Sequence, residues 1–234
     1  MRPFRFLFIP EVLFDLLPFL PVTLMMFAGS VFFGSLLGFV LARAKVRGRK
    51  VSGILADAYI AVMRCTPPIV LLFIVYYGLP ELLLSTIGLD INAIEKGIFV
   101  LVTFTLLFGA VMSEIMRSAY ESIDKGQWEA AVSIGLSPFQ AFYRIMLPQA
   151  TAVALPNFSN VLINLMKDGS LAFTIGLIDI MGKGNLIISK NFGAYALETY
   201  MALALIYWTL TLIIEKSFGY IEKSLSRGKR SIAE

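Results

Sequence analysis

The sequence contains no histidine and a single cysteine, Cys65. Without imidazole there is no zinc triad, no Ser-His couple and no haem ligand of the usual kind, and one thiol cannot build an intrachain disulfide framework. Charge is scarce too. Asp, Glu, Lys and Arg make up 15% of the 234 residues, where a soluble domain carries about 25%. The chain therefore has too little polar surface to face water on all sides. A phosphate loop of the form G-x-x-x-x-G-K-[ST] is also missing, since Gly182-Lys183 lacks both the earlier glycine and the following Ser or Thr. ATP hydrolysis by that route is excluded, and no Cys/His cluster offers a metal site.

What fills the chain is apolar: 58% hydrophobic residues, 19 of them Phe, and a mean hydropathy of +0.79. They fall in long uncharged blocks, the pattern of an all-α membrane protein. Five segments approach the roughly 20 residues that a crossing takes: within Leu16–Ala42, then 58–79, 97–117, 149–166 and 194–214. The first holds Gly34-x-x-x-Gly38, which favours close helix approach, and the fourth holds Pro156, which favours a kink. The apolar piece 171–178 is too short to span, and reads as re-entrant or as a surface helix. Residues 1–15 read as a retained amphipathic lead-in rather than a signal peptide, because Glu11 and Asp15 interrupt the apolar run. Residues 16–219 form the membrane domain, and 220–234 a basic tail.

Five spans put the termini on opposite sides. With the N-terminus outside, the inner segments hold 13 Lys/Arg and the outer ones 6, as the positive-inside rule asks. The net charge of +4 and pI near 9.2 thus mark topology, with the clusters Arg43–Lys50 and Lys223–Arg230 beside span ends. They are not a nucleic-acid footprint.

This topology makes residues 126–148 a cytoplasmic loop. Trp128 to Ile134 predicts a short helix with Glu129 in its first turn, where the helix dipole favours a carboxylate. Gly135 supplies a left-handed stop. Ser137-Pro138 restarts a helix as N-cap and first residue, and Phe139, Phe142, Tyr143 and Met146 follow at the spacing of one helical face. Pro148 breaks the run before the fourth span. On physical grounds alone, such a loop could equally be an amphipathic turn on the membrane surface.

Charges inside spans call for a role. Arg64 is expected near the cytoplasmic end of the second span, snorkelling to the headgroups or set at a helix interface. Glu114, beside Arg117, is expected to tie the third span to the loop. On the fourth span Asn157, Asn160, Asn164 and Asp168 recur at helical spacing. They are expected either to hydrogen-bond between helices or to line a substrate path, and the continuity of the stripe favours the path. Asp168 with Lys167 would stand at its outer mouth.

The residues Glu129-Ala130-Ala131, Gly135, Ile145 and Leu147-Pro148 match the spacing of the EAA loop of ABC importer permeases, and the chain resembles that family over most of its length. Arg64-Cys65-Thr66-Pro67 with Tyr77-Gly78-Leu79-Pro80, Glu114-Ile115, and Ile123 to Gln127 resemble its polar amino acid branch. Lys167-Asp168-Gly169-Ser170-Leu171 resembles a motif usually written with Ser or Thr at the position of Gly169. The stretch 170–185 is most similar to permeases for cystine and related amino acids.

The resemblance implies a type I permease fold with five transmembrane helices, in which Glu129, Ala130, Ala131, Gly135, Phe139, Phe142, Ile145, Leu147 and Pro148 couple to an ATPase. It implies a substrate path that includes Thr66 and Ser170 with the span-four stripe. Its implied partners are a dimer of ATP-binding subunits holding the ATP and Mg, a second permease (identical or a sibling), and an extracytoplasmic amino acid-binding protein. The chain itself would bind no cofactor and catalyse no reaction. An ion-driven secondary transporter would need repeats that are not detectable, and an integral-membrane enzyme would need a catalytic constellation that is missing.

Overall fold

A computed structural model describes residues 4–46 and 50–230, and the side chains of these apart from Lys50 and 225–230. Part of the basic cluster Arg43–Lys50 and the last residues of the tail lie outside this range. Every regular element among the described residues is helical.

The chain opens with α1 (Phe8–Leu16), which a short 3-10 turn joins to α2 (Leu20–Val46). Together they form one long apolar run, Phe8–Val46. The lead-in is thus part of the first helical rod, and α1 buries Ile9, Val12 and Leu16 against the far end of the bundle. Next come α3 (Lys50–Cys65), α4 (Pro68–Phe73), a π turn (Ile74–Gly78) and α5 (Leu79–Ile87). The helical run that is long and apolar enough by itself is Pro68–Ile87; the expected 58–79 is divided after Cys65, where Pro67 and Pro68 break the helix.

The third crossing, α6 (Lys96–Glu121), is the most buried of the candidate spans. After it come α7 (Lys125–Ser133), α8 (Pro138–Ala141), a second π turn (Phe142–Met146) and α9 (Leu147–Asp168). A 3-10 segment (Gly169–Ile175) leads to α10 (Ile180–Lys190), bent by 48° from the run before it. Finally α11 (Ala196–Arg230) supplies the last crossing. Four single crossings and this bent pair make the five expected. The apolar piece after Asp168 buries Ala172 and Ile175 in the main core, so it packs inside the bundle and is not a surface helix.

The pair α2 and α6 holds the bundle together. Thr23, Ser30, Gly34, Gly38 and Ala42 form the buried stripe of α2. A Cβ at Gly38 would come within 2.8 Å of the Met112 Cβ and 3.1 Å of the Gly109 carbonyl oxygen. Conversely, Leu37 lies 2.8 Å from where a Gly109 Cβ would stand. Lipid tails give no hydrophobic drive for association, so close backbone packing of small residues supplies it. The expectation drawn from Gly34 and Gly38 is met in this seam.

Candidate functional site

The loop between α6 and α9 is fully structured. Asp124 caps α7 by accepting from the Gly126 N–H at 2.6 Å. The helix therefore begins three residues earlier than the sequence suggests, and Glu129 sits past the first turn, exposed. Its end is a Schellman closure: Gly135 N–H donates to Val132 and Leu136 N–H to Ala131, with φ of +88° at Gly135. Ser137 and Gln140 then form a reciprocal capping box with Pro138 at the first helical position.

Here the structure departs from the expected break. Pro148 does not end the helix; α8 runs through the π turn Phe142–Met146 directly into α9. One extra residue in that turn takes up the mismatch caused by a proline that cannot donate. The same arrangement precedes Pro80, where Leu79-Pro80 follows the π turn Ile74–Gly78.

The four aromatic and Met positions also divide differently from the single face expected. Phe139 and Tyr143 stack outward, 75% and 61% exposed, while Phe142 packs on Tyr120 and Met146 is buried. Ala131 and Ala141 are buried where α7 meets the next helix, and Ile134 stands 79% exposed at the tip. Ala130, Leu147 and Pro148 are exposed as well, and Ile145 is half-buried. The result is a rigid knob with an apolar outer surface. A groove of about 790 Å³ runs between α2, α6, α9 and the loop itself, walled by Phe39, Met112, Trp128, Phe139 and Phe158 among others.

An ion network joins α2, α3 and α6 ahead of this loop. Lys45 at the end of α2 pairs with Asp57 of α3 at 2.6 Å and with Glu114 of α6; Glu114 also takes Arg117 at 2.8 Å, and Arg117 bonds Glu121. Lys45 thus ties α2 to both α3 and α6, and Glu114 links it to Arg117 on its own helix. Lys45 and Asp57 escaped the sequence reading, because nothing local marks a partner that lies far along the chain.

On α9 the buried side carries Leu155, Leu162, Leu165 and Met166, while Asn157, Asn160 and Asn164 are exposed. No described residue hydrogen-bonds any of the three asparagine side chains. Asp168 is half-buried at the end of this stripe and Ser170 half-buried just beyond it. Thr66 donates its hydroxyl to the Val62 carbonyl at 2.7 Å, so it faces its own helix. Since α4 packs on the 3-10 segment after Asp168, the elbow at Thr66 and that end of the stripe lie on neighbouring elements.

Arg64 stands near the end of α3. Tyr59, on the same helix, donates to the Leu106 carbonyl at 2.8 Å, and Leu71, Leu72 and Val75 pack with Phe99, Val100 and Phe104. Arg64 lies between these levels, beside the middle of α6 rather than at an end.

Residues 34–227 match the family described as the binding-protein-dependent transport system inner membrane component. The chain belongs to that family. Among curated relatives of this permease, the L-cystine transport system permease protein TcyL of Bacillus subtilis (strain 168) is 41% identical, over 92% of this chain and 88% of its own length. The "Probable amino-acid ABC transporter permease protein PatM" of Vibrio harveyi is 37% identical over 96% of this chain and 97% of its own. Among solved structures, an amino acid ABC transporter crystallised with histidines superposes with a TM-score of 0.80 at 27% identity, covering 95% of this permease and all of that chain. The fold is that of a type I ABC importer permease, a multi-pass inner-membrane protein whose family works with a binding protein and an ATPase.

Proposed function

We propose that this permease imports a polar amino acid, with L-cystine as the first candidate, by alternating access driven from a separate ATPase. The observation that carries the substrate class is the 41% identity to TcyL across nearly the whole chain. ATP and Mg belong to the partner, which docks on the knob formed by Ile134, Phe139 and Tyr143. Closure of the ATPase dimer would push α7 and α8, and rigid-body tilting of the two halves would follow.

The asparagine stripe supports a dimer around a polar path. Three amides left unsatisfied at membrane depth are costly against lipid, whereas a second permease and a water-filled path between the two would satisfy them. The N-terminus is placed outside and the C-terminus inside, on the charge bias of the loops.

The test is ATP-dependent uptake in proteoliposomes holding the permease, its ATPase and its binding protein. Uptake of L-cystine that needs ATP supports the reading; uptake that ignores ATP and collapses with an ionophore sinks it in favour of a secondary transporter. Asn160→Leu with Asn164→Leu should abolish uptake in complexes that still assemble.

A further inference from the structure

Arg64 stands apart from the other charges of the bundle. Tyr59 fixes α3 at the level of Leu106, about 15 Å along α6 from its Lys96 end. Arg64 is the next-to-last residue of α3, exposed on the surface of the protomer. A guanidinium at that depth costs at least about 2.5 kcal/mol against lipid, so it must face water or a partner.

Among the described residues, no acid of the protomer pairs with it. Asp57, Glu114 and Glu121 are held by Lys45 and Arg117 near the loop end. Asp179 is buried as the cap of α10, and Glu198 is buried while accepting from the Arg5 N–H. Asp168 closes the far end of α9, and Glu215 lies about 28 Å along α11. Within the described protomer, Arg64 is left without an anion.

The backbone beside it has the opposite need. In a helix, the carbonyls of Met63 and Arg64 would accept from the residues four positions on. Those residues are Pro67 and Pro68, which have no N–H. The last turn of α3 therefore leaves open acceptors next to a free cation, and the helix dipole adds to their negative character.

We propose that this elbow is the recognition point for the zwitterionic end of the substrate. Arg64 takes the α-carboxylate in the planar two-point geometry its fork allows, and the Met63 and Arg64 carbonyls take the α-ammonium. Both groups are common to every α-amino acid, so the elbow holds the invariant part of the cargo and leaves the side chain to be read elsewhere. This assignment rests on the amino acid importer reading above and adds to it the residue that binds the head group.

The experiment uses the complete transporter in proteoliposomes, with labelled L-cystine, L-glutamine and L-arginine as import probes. Arg64→Gln should lower import of the transported probe about tenfold to a hundredfold, with Arg64→Lys in between, while ATP hydrolysis stimulated by the binding protein persists. The wild type should reject the α-carboxamide of that probe, and Arg64→Gln should narrow the preference. Cys65, the chain's single cysteine and exposed, reports on access: a charged thiosulfonate should label it. L-cystathionine, which has no disulfide to exchange, should slow that labelling in the wild type and not in Arg64→Gln.

A wild type that imports none of the probes overturns the importer reading and this assignment with it. A wild type matched by Arg64→Gln, or a Cys65 that no charged reagent reaches, overturns the assignment alone. So does failure of both Arg64→Gln and Arg64→Lys to assemble with the ATPase, which would mark the residue as structural.

Discussion

The rings of Phe139 and Tyr143 lie 9° from parallel with centroids 6.0 Å apart, both largely exposed. They present a flat plate one helical turn long, and the stacking lowers the cost of ordering the two rings on contact. Replacing both by Ala should leave the permease folded but cut binding of the ATPase by about 2 kcal/mol or more, given the usual weight of exposed aromatic anchors. Copurification and the ATPase rate in the presence of binding protein would show it; an unchanged complex would refute the docking role.

Gly135 offers a cleaner separation of shape from contact. Nothing lies within 4 Å of a Cβ placed there, so Gly135→Ala would carry only the backbone penalty of a φ of +88°, about 1–2 kcal/mol. The expected result is a stable complex with weaker coupling between ATP hydrolysis and uptake. Gly135→Asn, which tolerates the left-handed region better, should recover much of it.

Glu114 joins α2 and α6 through Lys45 and holds Arg117 on its own helix. Glu114→Gln should lose about 1.5–3 kcal/mol of the charge-assisted bonding, read as a lower unfolding midpoint in detergent. Exchanging the charges in a Lys45→Glu, Glu114→Lys pair should fail to restore it, because Arg117 would then face a lysine.

The glycine seam predicts the largest structural loss. Gly38→Leu would drive its side chain into Met112 and the backbone at Gly109 and Ser113. About 1–3 kcal/mol of overpacking strain and separation of α2 from α6 are expected, visible as poor expression or aggregation on size exclusion. A Gly53→Ala control, with open space around it, should be silent.

The features legible in the sequence are those whose cause lies within a few residues. Gly135, Ser137 and Pro138 shaped their turn as expected because caps and left-handed stops act over one helical turn. Gly34 and Gly38 announced a close approach, though not the helix that would make it. The π turn before Pro148 was hidden, since a proline signals a break equally well when an inserted residue absorbs it. The partners of Glu114 were hidden for another reason: Lys45 is 69 positions away. The level of Arg64 along α6 was hidden as well, because it is set by Tyr59, whose partner Leu106 is 47 positions away.

The α2–α6 seam has a mechanical consequence. Leu37 fills the space at Gly109, Phe108 that at Gly34 and Met112 that at Gly38, so the two rods are notched against each other. A small axial slip would drive side chain into backbone. Any displacement delivered to the loop therefore meets a stiff strut on the α6 side. On the α9 side it meets a helix entered through a π turn, where the hydrogen-bond ladder is already irregular. The compliance of the machine is concentrated on one side, and that is the side bearing the asparagines.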